Sequence, residues 1–156
     1  MENLNFTIST DLLASPVQRF FNLIIDLLIV YVLLLGIETT IKIISDVTNS
    51  RFLSEGIENL DVIDQCVIGI IIAILYYSLT EIYFSRSLAK YFTKTVVTMK
   101  DGSKPDNKTI FMRTFCRLIP IDFLTFLKIP ARGWHDTISG TYVVKKHPFV
   151  EKKGWL

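Results

Sequence analysis

Two apolar runs stand out against an otherwise polar chain, RFFNLIIDLLIVYVLLLGI from Arg19 to Ile37 and VIDQCVIGIIIAILYYSLTEIYF from Val62 to Phe84. Each is long enough to cross a bilayer as a helix, since about 20 apolar residues at 1.5 Å per residue match the hydrocarbon thickness. Ser15 precedes Pro16, a capping residue followed by one that the first helical turn accepts, so the first span is predicted from about residue 19 to residue 37. The second is predicted over residues 62–84.

The segments around the spans differ in sign. Residues 38–61 carry five acids (Glu38, Asp46, Glu55, Glu58, Asp61) against two bases (Lys42, Arg51) and read as an acidic loop. Residues 85–117 hold eight bases against two acids. Basic flanks stay on the cytoplasmic side, so the expectation is two antiparallel transmembrane helices with the acidic loop outside and both termini cytoplasmic.

Beyond the second span the periodicities change. Ile110, Phe111, Thr114, Phe115 and Leu118 repeat at helical spacing, with Lys108, Arg113 and Arg117 off that face and Asp106 or Asn107 able to cap the start. The run from Leu118 to Leu127 is apolar but too short to span, and Pro120 and Pro130 punctuate it. Residues 107–127 therefore read as an amphipathic or re-entrant element on the inner leaflet. Two β-type runs, TKTVVTMK (93–100) and GTYVVKK (140–146), are suited to pair as a small cytoplasmic ribbon. The fold class is thus a mostly α membrane protein, in one domain over residues 1–156, with a β pair.

The first span carries the chemistry of interest. Arg19, Asn22 and Asp26 stand three and seven residues apart, which puts them on one helical face. A carboxylate near mid-bilayer costs at least about 2.5 kcal/mol, so Asp26 must meet protein partners or water, or hold a proton. Arg19 and Asp26 are about 10 Å apart along one helix, too far for easy contact, so each needs a partner elsewhere. Glu81, one turn from the inner end of the second span, and Asp136 are the candidates for Arg19.

Composition changes this picture little. Half the residues are hydrophobic, the mean hydropathy is +0.40 and the net charge is +2, which fits an integral membrane protein and suggests no nucleic-acid partner. No basic cluster precedes Arg19 and no small-x-small site follows the first run, so a cleaved signal peptide is not expected. Cys66 and Cys116 fall near opposite surfaces, and His135 and His147 lack a soft-ligand neighbour, so neither a disulfide nor a metal site is expected. Asp136 follows His135 directly in Gly-Trp-His-Asp, but no nucleophile motif accompanies them, and Asp136 is expected to cap the next turn or to accept from a cytoplasmic arginine. Arg86, Lys90, Lys94, Arg113 and Arg117 are the candidate contacts to lipid headgroups.

An arginine opening the first span with an aspartate seven residues on, SLAKYFTKTVV followed by KDG, the pair in RTFCR and a late GWHDTISGTYVV together resemble the RDD family of small bacterial membrane proteins, over about residues 14–146. On this resemblance the signature residues are Arg19, Asp26 and Asp136, and the location is a bacterial inner membrane. The family's Thr-x-Gly-Lys reads Ser87-Leu88-Ala89-Lys90 here, without the glycine. Transport of ions or other ligands is the role usually suggested for the family. From the residues themselves, two helices cannot shield three intramembrane polar groups, so a homo-oligomer or other membrane proteins are expected as partners besides the bilayer. The leading expectation is a non-enzymatic complex subunit, without cofactor, assembled through Arg/Asp contacts. The alternative is a cation or proton transporter with Asp26 as carrier. No proline interrupts either span, which favours the first.

Overall fold

Ser15 and Gln18 start the first helix as a reciprocal pair: the Gln18 N–H donates to Ser15 Oγ at 3.2 Å, and the Ser15 N–H donates to Gln18 Oε1 at 3.0 Å. This satisfies two of the donors that a helix start leaves open. The structure, a computed structural model, describes residues 8–119 and 133–153. In chain order its elements are α1 (Pro16–Thr48), α2 (Arg51–Glu58), α3 (Val62–Phe84), α4 (Leu88–Phe92), β1 (Thr95–Met99), α5 (Asn107–Arg117), α6 (Trp134–Ile138), β2 (Thr141–Lys145) and α7 (Lys146–Lys153). The chain, expected as one domain, divides into two compact units, Leu27–Tyr76 and the remainder.

The first unit, Leu27–Tyr76, is helical throughout its ordered elements. Residues 38–48, expected to be loop, continue α1 without a break. Nothing in them stops a helix: no proline occurs, and Glu38 and Lys42 stand four apart in the favourable order. The threonines also satisfy themselves locally, with the hydroxyls of Thr39, Thr40 and Thr48 each donating at 2.7 Å to the carbonyl four residues back. Asn49 then ends the helix in the left-handed region (φ 51°), and the Ser50 N–H returns to the Ser45 carbonyl at 3.1 Å. Within the acidic segment Arg51–Glu58 forms α2, whose Phe52 is 85% exposed.

Helices α1 and α3 are long and apolar enough to cross a membrane, and only 17% and 22% of their most apolar stretches are buried. A helix inside a soluble core would be mostly covered. The outward side chains include Leu27, Leu28, Tyr31 and Val32 on α1 and Val67, Ile71 and Leu75 on α3.

The second unit joins both ends of the described chain around a two-stranded sheet. β1 and β2 pair antiparallel, from Thr95 opposite Lys145 to Met99 opposite Thr141, as the two β-type runs predict. Ser85 and Lys94, both at positive φ (55° and 53°), turn the chain from α3 into α4 and from α4 into β1. Ala89 is not among the positive-φ residues; it lies inside α4, so the missing glycine costs no turn. The segment before α1 lies along the free edge of β2, where Leu13 bridges Val144 and the Ala14 N–H donates to the Val143 carbonyl at 2.9 Å.

Alternation along the strands gives the sheet two different faces. Val96 and Val144 close an apolar core with Leu12 and Phe149, with Ile8, Leu13 and Tyr142 packed against it. Thr95 and Thr141, on the other face, are fully buried and point their hydroxyls at charged and polar groups. The inward-turned side of α5 is Ile110, Arg113 and Thr114, while Phe111, Met112 and Phe115 are exposed. The rest of the expected inner-leaflet element, residues 120–127, lies outside the described residues.

Candidate functional site

The polar stripe of α1 meets three successive sets of partners within the second unit. Arg19, nearest the helix start, donates through Nη1 to Asp136 Oδ2 at the start of α6. Asn22 reaches the sheet: its Nδ2 donates to Thr95 Oγ1 at 3.3 Å, and Thr93 Oγ1 donates to its Oδ1 at 2.6 Å. Asp26 reaches α4, accepting from Ser87 Oγ at 2.6 Å and from the Ala89 N–H at 3.3 Å. Spacing of three and seven residues put the three on one face, and the fold gives each a different element to bind.

Glu81 and Asp136 organise the cations. Glu81 Oε1 accepts from Lys90 Nζ at 2.8 Å and from Arg117 Nη2 at 2.7 Å, and Oε2 accepts from Arg113 Nη1 at 2.7 Å. Arg113 turns its other edge to Asp136, with Nε and Nη2 donating to Oδ1 at 3.1 and 2.7 Å. One guanidinium thus ties the end of α3 to the start of α6. Asp136 also accepts from Thr141 Oγ1 at 3.4 Å, and His135 Nε2 lies 3.2 Å from Oδ1, so adjacency in sequence did not prevent their contact. The guanidinium of Arg117 lies 4.2 Å over the Tyr77 ring, a favourable cation–π position.

This network excludes water: Arg113 and Asp136 are 0% exposed, Glu81 1% and Asp26 2%. Burial alone would raise the Asp136 carboxyl, but His135, Arg113 and Arg19 hold it well below the usual carboxylate range. Burial likewise works against the Arg117 cation, and Glu81 above all outweighs it and raises its basicity. Lys90 goes the other way. Burial and the neighbouring Arg117 push its ammonium down to about 8 in spite of Glu81. Cations also outnumber carboxylates around it: Arg19, Lys90, Arg113 and Arg117 are four, set among the three of Asp26, Glu81 and Asp136.

All five residues of the expected polar network, Arg19, Asn22, Asp26, Glu81 and Asp136, come together in this unit. Asp136 takes Arg19, and Glu81 takes the three other cations. The expectation of headgroup contacts is corrected for Lys90 and Arg113, which are buried in ion pairs, and for Arg117, whose side chain is 12% exposed against Glu81. A buried carboxylate needs an opposite charge beside it, and these cations supply it. Lys94 is exposed and Arg86 half-buried, with its guanidinium 4.2 Å over the Tyr91 ring. Of the hydroxyls that complete the shell around Asn22 and Asp26, Ser87 stands where the family motif has threonine, while nothing in the sequence singles out Thr93 or Thr95. Among the described residues no group of three or more His, Cys, Asp or Glu is placed to hold a metal ion.

No curated protein and no solved structure matches the chain significantly. The RDD family model matches residues 13–140, a range that runs from the segment beside β2 through α1 and α3 to Asp136 and so holds every ion pair of the network; the chain belongs to the RDD family.

Proposed function

We propose that this protein is a non-enzymatic subunit of a homo- or hetero-oligomeric complex in a bacterial inner membrane, with both termini cytoplasmic. The observation that carries this reading is the pairing of the two buried carboxylates within the chain: Glu81 and Asp136 are each bound by more than one of its own cations. A carboxylate clamped by several guanidinium groups is a fixed joint rather than a mobile carrier. The Arg/Asp contacts, expected to hold subunits together, lie within one chain, where they fasten the sheet and the short helices to the base of α1; assembly then falls to the exposed apolar faces of α1 and α3. Purifying the full chain in mild detergent, with the mass of the particle measured and its components identified by mass spectrometry, tests this. A particle of one chain in several detergents and in nanodiscs contradicts it.

A cation or proton transporter with Asp26 as carrier is the second reading. One observation favours it: Asp26 accepts from the Ser87 hydroxyl, which itself accepts from Lys90 Nζ at 3.4 Å, so a line of exchangeable protons reaches the carboxylate. Flux in proteoliposomes that disappears in Asp26→Asn while the protein remains folded would select this reading.

A further inference from the structure

Arg19 uses only part of its guanidinium. Nη1 is bound to Asp136, while Nε and Nη2 have no hydrogen-bond partner, although the residue is 4% exposed. Buried polar N–H groups are nearly always paired, and a pair stripped of water and left open points to a missing ligand. The two open groups are also the ones that matter geometrically. Nε–H and the neighbouring Nη2–H form the parallel fork that grips two oxygens of a phosphate or carboxylate at once.

Charge favours the same kind of occupant. The surrounding network has four cations for three carboxylates, so one further negative charge balances it. The position does too: Arg19 lies in the first turn of α1, at the end of an apolar helix where lipid phosphates are plentiful. Among the described residues no acidic side chain takes the fork: Asp136 meets Arg19 through Nη1 and otherwise turns to Arg113, Glu81 is bound to three other cations, and Asp26 accepts from Ser87 and Ala89.

We propose that the open Nε/Nη2 fork of Arg19 is a binding site for a phosphate group carrying about one negative charge. A phosphodiester of a lipid headgroup and free inorganic phosphate share this chemistry.

The test uses the full chain in a maltoside detergent, which contains no phosphate. Thermal unfolding is followed while sodium phosphate replaces sodium chloride at constant ionic strength, and separately while phosphatidylglycerol is added to the micelles. A saturable rise in midpoint with inorganic phosphate identifies a free anion as sufficient, and a rise with the lipid alone identifies the headgroup. Arg19→Lys keeps the charge but has no fork, so it should lose at least tenfold in apparent affinity in either arm. If that variant does not fold, the wild-type protein labelled with 15N-arginine decides: the Arg19 Nε–H resonance, assigned through its proximity to Asp136, must shift saturably with the same additive. No saturable response to either additive, a response unchanged in Arg19→Lys, or an Arg19 resonance that stays still, overturns the proposal.

Discussion

Arg19 and Asp136 are joined side chain to side chain across 117 residues of sequence. Their contact closes a ring of elements, because Asp136 also binds Arg113 on α5, and Arg113 binds Glu81 at the end of α3. The base of α1, the end of α3, α5 and α6 are therefore tied at one buried point. Removing a member of such a point leaves its partners charged and dry with one opposite charge fewer, which is why single changes here should matter far more than their surface counterparts.

Arg113→Ala should be the most destabilising of these changes, because it takes a buried cation from Glu81 and from Asp136 at once. Breaking a buried pair costs about 3–5 kcal/mol. The same substitution at the exposed Lys94 should stay within about 0.5 kcal/mol. Thermal unfolding of the detergent-purified variants checks this, and equal midpoints for the two would refute the network's structural weight.

Stability should rise with pH between about 8 and the ordinary lysine range. Lys90 has its proton affinity lowered to about 8 in the fold against 10.5 unfolded, so in that window the unfolded chain binds more protons than the folded one. The gain is complete above the unfolded value and is lost as pH falls through the folded one. Its size is on the order of 3 kcal/mol. Unfolding midpoints from pH 7.5 to 10.5 should climb in the wild type and be flatter in Lys90→Met, which titrates nothing at this position; parallel curves would remove Lys90 as the source.

Asp26→Asn and Asp26→Leu should separate. Ser87 Oγ can rotate to accept from the new amide while the Asn oxygen keeps the Ala89 N–H, so the Asn variant should lose about 1 kcal/mol. Leucine leaves both donors open in a dry site and should cost about 2–4 kcal/mol. Paired thermal unfolding and size measurements check this. A Leu variant as stable as the Asn one would mean that the contacts to α4 carry nothing.

Orientation is accessible to single cysteines, after Cys66 is replaced. A cysteine at Ser50, after α1, should react with an impermeant thiol reagent from outside sealed cells, and one at Ser103, after β1, should not. Labelling at Ser103 alone would reverse the orientation proposed above. Labelling at both would dismiss a two-span arrangement.

How far the chain announced all this varies by element. The apolar runs determined two long helices, because hydrophobic length and helical period are local properties. The β pair was legible for the same reason, as β-branched alternation bounded by Asp101-Gly102 and Gly140. The stripe of Arg19, Asn22 and Asp26 followed from spacing alone. The continuation of α1 through residues 38–48 is not legible in the apolar pattern, because that pattern ends where the hydrophobic stretch ends while the backbone hydrogen bonds of the helix run on through polar residues. What the tertiary structure decided was pairing. Arg113 and Arg117 look like a solvated basic flank in sequence, and the fold turns them inward because Glu81 and Asp136 are buried nearby and require cations. Charge along a chain says which side of a membrane a segment prefers; which carboxylate each guanidinium meets is settled only when distant elements are packed together and water is excluded between them.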